Sequence, residues 1–223
     1  MDKTLDLKEV GELASSIAAD LQALPLRNTP NAREVRRRYS QRLQQASPEF
    51  VLELARKLLK DYGLRWMAYE LIRFHTVAFR SLTDVELEEL SQGIHSWESV
   101  DSFARTLAGP AWLRGQASDE LIHQWARSED RWRRRAALVS TVALNVRSQG
   151  GKGDVPRTLE ICSLFVDDHD DMVVKALSWA LRELVVHDPE AVQDFLARHE
   201  EALAARVKRE VRNKLNTGLK NPK

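Results

Sequence analysis

The sequence predicts an all-α fold, a HEAT-like helical-repeat solenoid with a concave basic face. Glycine and proline are scarce, with 9 and 7 copies among 223 residues, as is typical of helical proteins. Alternating runs rich in Val, Ile and Thr, which would indicate strands, are nearly absent. Helix patterns recur in pairs of about 35–45 residues, the length of one helical-hairpin repeat. A globular helical bundle is the alternative architecture.

Helix boundary signals are clear before residue 90. The Ser-Pro-Glu sequence at 47–49 supplies a cap, an N1 proline and a first-turn acid for a helix that Gly63 ends. A second helix is expected over roughly 65–80. Thr83 and Glu86 have the spacing of a capping box, which predicts the start of the next helix.

The rest of the chain continues the helical rhythm. The helix that holds Trp97 and Asp101 should end near Gly109-Pro110, and another should begin at residues 118–120. The stretch near 147–156 contains three glycines and ends at Pro156, which predicts a flexible loop inside one domain of residues 1–223. Its spacing fits no phosphate-binding fingerprint. The remaining helices are expected at 130–146, 156–167, 170–187, 189–199 and 200–217.

Several classes of site have no signal in the sequence. The single cysteine, Cys162, excludes a disulfide framework and lies in an apolar run typical of a buried structural thiol. The six histidines lack zinc-ligand spacing, so we expect no metal and no cofactor. No apolar stretch approaches a membrane span and the start is not a signal peptide, which favours a cytoplasmic protein.

Positive charge is concentrated in three places although the net charge is only +1. On one face of a solenoid these clusters would form a track for phosphates. The alternative is that each run is a solvated helix face. The clusters consist of Arg33, Arg36, Arg37, Arg38 and Arg42; Arg127, Arg131, Arg133, Arg134 and Arg135; and Arg206, Lys208, Arg209, Arg212, Lys214, Lys220 and Lys223.

Four residues have a spacing that suits recognition of a cation. Trp97 and Asp101 are one helical turn apart, and gaps of 34 and 44 residues lead to Arg135 and Trp179. In a stack of helix pairs, residues one repeat apart lie on the same wall. An indole beside a carboxylate attracts positive charge. Taken singly, each tryptophan is better explained as a core residue and each charged residue as a surface one; it is the combination that suggests a site.

Two further cations lie on the predicted helix of Trp179. Lys175 and Arg182 are one turn before and after it, and a stripe of cation, aromatic and cation is common on nucleic-acid-binding surfaces. The residues predicted to contact DNA are Arg135, Lys175, Arg182, Arg134 and Arg209.

Three segments together carry a recognisable motif set. They are SWESVDSFA, WRRRAALV and KALSWALRE, which follow the patterns W-(D/E)-x-V-D, W-x-x-R-x-A and K-A-(I/L)-G-W-A-L-R-E. Over roughly residues 48–217 the chain thereby resembles the AlkD-type DNA alkylation repair glycosylases. It departs from their pattern at Ser178, where the family has glycine, and at residues 171–173, where the family has an aromatic pair.

The resemblance implies a fold and an activity. The family folds as HEAT-like repeats whose concave basic face holds duplex DNA, and it removes cationic alkylated purines such as N3-methyladenine and N7-methylguanine. It implies that Asp101 is the catalytic carboxylate, that Trp97 and Trp179 contact the deoxyribose, and that Arg135 contacts the DNA backbone. The lesion would not be flipped into a pocket, unlike in most glycosylases.

These observations predict a monomeric, monofunctional DNA glycosylase of base excision repair that acts on double-stranded DNA containing alkylated bases and is associated with the nucleoid. A non-catalytic protein that binds DNA structures on the same scaffold is the alternative, and a protein-interaction scaffold is a third class. Replacing Asp101 with Asn is expected to reduce the rate strongly and to leave folding nearly unchanged, because a groove-facing carboxylate supports little of the core.

Overall fold

The computed structural model describes residues 6–222, and every regular element among them is helical. This confirms the prediction of an all-α, HEAT-like helical-repeat fold. The chain divides into two compact units, Met1–Leu90 and Ser91–Lys223, each of which is described by itself. The assignment of residues 1–223 to a single domain remains a prediction.

The first unit is built around one central helix. Its helices are α1 (Leu7–Gln22), α2 (Thr29–Arg42), α3 (Pro48–Tyr62), α4 (Arg65–Phe74), α5 (Thr76–Arg80) and α6 (Asp84–Leu90). Helix α3 packs against α1, α4 and α5. The Ser47 hydroxyl accepts a hydrogen bond from the Phe50 amide at 3.2 Å, and Gly63 ends the helix with φ of 64°. The predicted cap and stop of this helix are confirmed.

The helix predicted over 65–80 is interrupted at His75. The backbone of this residue leaves the helical region, with φ of −99° and ψ of 100°, and its ring Nδ1 accepts the Ala78 amide at 3.0 Å. Burial lowers the pKa of His75, which keeps the ring neutral and able to accept this bond. The predicted capping box is present, because the Thr83 amide donates to Glu86 Oε2 at 2.9 Å and the Val85 amide donates to Thr83 Oγ1.

The second unit is centred on two long helices that pack against each other. Its elements are α7 (Trp97–Phe103), a π-helical turn (Ala104–Ala108), α8 (Gly109–Leu113), α9 (Asp119–Ala126), α10 (Arg131–Asn145), a 3-10 turn (Arg147–Gln149), α11 (Val155–Ser163), α12 (Asp171–Leu184), α13 (Pro189–Arg198) and α14 (Ala205–Thr217). Helix α10 packs against α12 and against the segment from α7 to α8, while α12 also packs against α14. Helices α9, α11 and α13 form the connections between these elements.

Helices α10 and α12 run parallel. Arg135 near the start of α10 bonds to Met172 at the start of α12, and the Asn145 carbonyl at the end of α10 lies 2.6 Å from the His187 ring beyond the end of α12. Parallel second helices are expected when one helix of each repeat stacks on the same helix of the next. Residues at the same level on α7, α10 and α12 therefore lie side by side.

The helix that holds Asp101 does not end at Gly109-Pro110, as the sequence predicted, but continues to Leu113. The Gly109 amide reaches back five residues to the Ala104 carbonyl, which makes the π-helical turn. Pro110 has no amide hydrogen to donate, and the Arg105 carbonyl accepts instead from Gln149 Nε2 at 3.2 Å. An ordered side chain thus replaces the missing donor and allows the helix to continue.

The stretch predicted as a flexible loop at 147–156 is closely packed. A Cβ on Gly151 would lie 2.5 Å from the Ala143 carbonyl oxygen, and one on Gly153, at φ of +89°, would lie 2.5 Å from the His187 Cβ. The amides of both glycines donate to carbonyls at the end of α10. These glycines therefore allow the chain to cross close to α10 and to His187.

Cys162 is fully buried in α11, which confirms the prediction of a structural thiol, and burial raises its pKa. Trp112 and Trp125 are core residues. Within residues 6–222, no helix has both the length and the apolar character that are needed to cross a membrane.

Candidate active site

The centre of the candidate site is an ion pair between Asp101 on α7 and Arg135 on α10. Arg135 Nε donates to Asp101 Oδ1 at 2.9 Å, and Nη2 donates to Oδ2 at 2.9 Å. Arg135 Nη1 donates to the Met172 carbonyl of α12 at 2.5 Å. Arg135 is only 5% exposed. One buried guanidinium therefore connects three parallel helices.

This geometry fixes the carboxylate in one orientation. A bidentate pair between guanidinium and carboxylate constrains the plane of the acid as well as its position. Three of the five N–H donors of Arg135 are used within the protein, which leaves two for any other partner. Contact of Arg135 with the DNA backbone remains a prediction, since in the structure its principal partner is Asp101.

Trp97 is the first residue of α7 and is 48% exposed, so it is not a core tryptophan. The Ser96 side chain caps this helix by accepting the Ser99 amide at 3.3 Å. Because Trp97 and Asp101 are four residues apart on one helix, their side chains share a face. An exposed indole thus lies one turn from the carboxylate held by Arg135.

Trp179 is half-buried on α12 and contacts two polar side chains. Its Nε1 donates to Glu183 Oε1 at 2.9 Å. The guanidinium carbon of Arg105 lies 5.3 Å from the centre of its ring system. Arg105 was missed by sequence reasoning, although it lies one helical turn after Asp101 and could have been found from that spacing.

The predicted DNA contacts on α12 have different surroundings. The Lys175 ammonium is partly exposed and lies 2.5 Å from Asp171, which also pairs with Arg206 at 2.8 Å. The hydrogen bond from Lys175 lowers the pKa of Asp171. Arg182 is largely buried, donating to Ser178 Oγ at 3.3 Å near Glu210. Burial lowers the pKa of Arg182.

The other two predicted DNA contacts also differ from each other. Arg134 Nε pairs with Asp168 at 2.8 Å, and its Nη1 donates to the carbonyls of Ser128 and Glu129. Arg209 on α14 is exposed to solvent. The structure thus places Arg134 in a bond network within the protein and leaves Arg209 at the surface.

Ser178, which stands where the resembled family has glycine, belongs to a buried polar cluster. Its hydroxyl donates to Glu210 Oε2 at 2.7 Å, and Glu210 is only 5% exposed. Lys220 also approaches this carboxylate, at 3.4 Å. The cluster ties α12, next to Trp179, to α14 and to the segment that follows it.

Two contacts connect the helices that carry the predicted site residues. Arg135 bridges Asp101 of α7 to Met172 of α12, and Arg105 of the π-helical turn reaches over Trp179 of α12. Trp97 extends the same face of α7 by one turn. The part of the chain that the structure describes contains no group of three or more His, Cys, Asp or Glu residues that could hold a metal ion.

The comparison with known proteins identifies a family. The model of the DNA alkylation repair enzyme family matches residues 13–215, a range that includes every residue of the candidate site. No curated protein matches the chain in sequence. Because the family match covers most of the chain, it assigns the protein to the repair of alkylated DNA, with DNA as its substrate. The chain belongs to the DNA alkylation repair enzyme family.

Proposed function

We propose that the protein is a monofunctional DNA glycosylase that excises cationic alkylated purines, such as N3-methyladenine and N7-methylguanine, from duplex DNA without flipping the base. The observation that carries this proposal is the Asp101 carboxylate, fixed by Arg135 and one turn from the exposed indole of Trp97. Base excision repair by a monomeric, cytoplasmic enzyme associated with the nucleoid is part of the same proposal.

The chemistry needs little acid catalysis. Alkylation at N3 or N7 makes the purine cationic, so the electron pair of the C1′–N bond leaves with the base and neutralises it. The deoxyribose becomes oxocarbenium-like, and a water molecule then attacks C1′ and loses a proton. A carboxylate already in place beside C1′ stabilises the positive charge on the sugar without reorganising during the reaction. Arg135 supplies that fixed placement for Asp101.

The two tryptophans supplement the carboxylate. Their ring faces attract positive charge on the sugar, which contributes ~0.5–2 kcal/mol for each well-placed ring. Trp97 is exposed and Trp179 is half-buried, so neither indole is withdrawn into the core. We propose that they contact the deoxyribose of the damaged nucleotide on either side of the carboxylate.

Binding of the duplex backbone is assigned to the exposed cations. Lys175 and Arg209 are accessible to phosphates. Arg135 is only 5% exposed, and its proposed contact with the backbone uses the two N–H donors that it retains. Arg134 and Arg182 hold carboxylates or hydroxyls of neighbouring elements, so their proposed contribution is to order the surface. Binding of this kind is electrostatic and weakens steeply as the salt concentration rises.

A second function is favoured by one observation. The charge of Asp101 is already compensated by a buried arginine, which would also suit a purely structural ion pair. In that case the protein would bind damaged DNA without cleaving the glycosidic bond. Direct measurement of base release separates the two functions.

The test is single-turnover release of 7-methylguanine from a methylated duplex, with DNA binding measured separately. We expect release by the wild type, and a rate about 10²–10³-fold lower for Asp101→Asn. Asp20→Asn is a matched control, since Asp20 also pairs with an arginine, Arg38, at 2.6 Å. Binding of alkylated duplex with no release of base by the wild type would support the non-catalytic function.

The monofunctional character has its own test. Hydrolysis by water forms no covalent bond between the enzyme and C1′, whereas a lysine nucleophile would form a Schiff base there. Borohydride added during turnover should therefore trap no enzyme–DNA adduct. A trapped adduct would show that the enzyme also attacks the sugar.

A further inference from the structure

One carboxylate in the second unit bridges two cations that belong to different helices. Asp171 is the first residue of α12. Its Oδ2 lies 2.5 Å from the ammonium of Lys175, one turn further along the same helix, and its Oδ1 lies 2.8 Å from Nη1 of Arg206 on α14. Each oxygen of the carboxylate thus pairs with a different cation.

This bridge is open to solvent. The three side chains are between 36% and 58% exposed, whereas the Asp101–Arg135 pair is largely buried. Ion pairs at such exposure are weak, because water and dissolved salt compete for both partners. A second anion can therefore reach the two cations from the solvent side without opening the core.

The two cations have an arrangement that suits a phosphate. Lysine and arginine side chains supply many of the contacts that proteins make to the DNA backbone, and one phosphate offers several oxygens to them. Lys175 stands four residues before Trp179 on α12, about 6 Å along the helix axis. A phosphate held by Lys175 and Arg206 therefore lies close to the deoxyribose that the proposed function gives to Trp179.

We propose that Asp171 is a built-in competitor of DNA, whose carboxylate occupies in the free protein the place between Lys175 and Arg206 that a backbone phosphate takes in the complex. The inference rests on the part of the proposed function that assigns Lys175 to the DNA backbone, and it is independent of base excision. It adds Arg206 as the second ligand of that phosphate.

The consequence is weaker binding of every duplex. DNA must break two ion pairs before it gains the two phosphate contacts, and the displaced carboxylate then repels the backbone. Both costs are the same for damaged and undamaged DNA, so they cancel in the ratio of the two affinities. Asp171 therefore favours release of DNA after an encounter or a reaction, since affinity differences between related complexes lie mostly in the rate of dissociation.

The experiment is a double-mutant cycle on the full chain. Dissociation constants are measured for an undamaged duplex and for the same duplex with one uncleavable tetrahydrofuran abasic analogue. The proteins are wild type, Asp171→Asn, the double variant Lys175→Gln/Arg206→Gln, and the triple variant. Asp194→Asn is the matched control, because Asp194 is an exposed aspartate on α13 with no ion pair in the part of the chain that the structure describes.

We expect Asp171→Asn to tighten the binding of both duplexes about three- to tenfold, or ~0.6–1.4 kcal/mol, as the loss of two exposed ion pairs allows. Asp194→Asn should change the affinity by less than about twofold, because a distant exposed charge is screened. The double variant should bind more weakly than wild type. Adding Asp171→Asn to it should give no more than the small gain of the control.

Two results would overturn the proposal. An equal gain from Asp171→Asn with and without the two cations would show that Asp171 only repels DNA and masks nothing. No gain in the wild-type background would show that DNA leaves the bridge intact.

These outcomes are separate from the test of the proposed function. A wild type that releases 7-methylguanine while Asp171→Asn leaves the affinity unchanged refutes only the role of Asp171. A wild type that releases no base, with the expected pattern in the cycle, refutes only the glycosylase activity. A double variant that binds as tightly as wild type refutes both the competition and the assignment of Lys175 to the backbone, and leaves the chemistry at Asp101 untouched.

Discussion

The carboxylate of Asp101 and the guanidinium of Arg135 form a bidentate ion pair, with both N–O distances at 2.9 Å. Arg135 is buried, and its third contact is to the Met172 carbonyl at the start of α12. The group that is proposed to stabilise the sugar cation is thus also the counter-ion of a buried arginine. Under the proposed function, catalysis and stability therefore depend on the same carboxylate.

Asp101→Asn should therefore lower stability as well as rate. The sequence alone led us to expect almost no change in folding. In the structure the substitution leaves the buried charge of Arg135 without its anion, although the amide oxygen of Asn can still accept one hydrogen bond. We expect a loss of ~1–3 kcal/mol in the free energy of unfolding, measured by urea denaturation. An unchanged midpoint would show that Arg135 finds another partner.

Arg135→Lys should lower the rate of base release through its effect on Asp101. A lysine at this position cannot form the bidentate pair, so the carboxylate loses its fixed plane. We expect a rate ~10–10²-fold lower, and a double variant with Asp101→Asn that is no slower than Asp101→Asn alone. Single-turnover rates of the three variants complete the cycle. Strictly additive losses would mean that Arg135 acts on the DNA independently of Asp101.

The parts of the fold that could be predicted from the sequence are those fixed by nearby residues. The Ser47 cap, the Gly63 stop and the Thr83–Glu86 capping box each depend on side chains within a few positions. The break at His75 was missed because a histidine is an uncommon cap. The continuation of the helix beyond Pro110 was missed because it depends on a distant residue. The Arg105 carbonyl, which Pro110 leaves without a backbone donor, accepts from Gln149, 44 residues away in sequence.

In the candidate site, too, some features follow from sequence spacing and others depend on contacts between distant residues. The gap of 34 residues between Asp101 and Arg135 indicates adjacent repeats, and the structure places the two side chains in contact. The inward direction of Arg135 depends on the Met172 carbonyl of a third helix, which no local pattern indicates. The contact of Arg105 with Trp179 likewise depends on how two helices pack, so the sequence could only have suggested Arg105 as an additional cation on the face of Asp101.

Gly109→Ala should destabilise the second unit. A Cβ at this position would lie 2.6 Å from the Ser140 carbonyl oxygen and 2.8 Å from the Ala143 Cβ, so α8 and α10 would have to move apart. We expect a loss of ~1–3 kcal/mol by thermal or urea unfolding. Gly11→Ala is the matched control, since a Cβ there meets only the flexible end of Lys57 at 3.3 Å. The control should be neutral or slightly stabilising because alanine favours helix.

Glu210→Ala should be among the most destabilising single substitutions in α14. Glu210 is buried and accepts from Ser178, with Lys220 and Arg182 nearby, so its removal leaves the largely buried Arg182 with only the weaker attraction of Glu183. The expected loss is ~3–5 kcal/mol. Glu200→Ala provides the comparison, because Glu200 forms partly exposed pairs with Lys208 and Arg212 that contribute ~1 kcal/mol or less. Similar losses for both variants would contradict the assignment of a buried cluster.

Stability should fall in acid partly through Glu86. The hydrogen bond from the Thr83 hydroxyl holds the pKa of this carboxyl below its ordinary value of 4.5. A depressed pKa in the folded state means that the unfolded chain binds the proton more readily. The contribution of the Glu86 carboxylate to the free energy of unfolding is therefore present above about pH 4.5 and is lost as the pH falls through the folded pKa.

Glu86→Gln removes this titration but keeps a side chain that can accept the Thr83 amide. The difference in unfolding free energy between wild type and Glu86→Gln should therefore be about 1 kcal/mol or less near neutral pH and should shrink below pH 4.5. A difference that stays constant across this range would mean that the carboxylate charge contributes nothing to the cap.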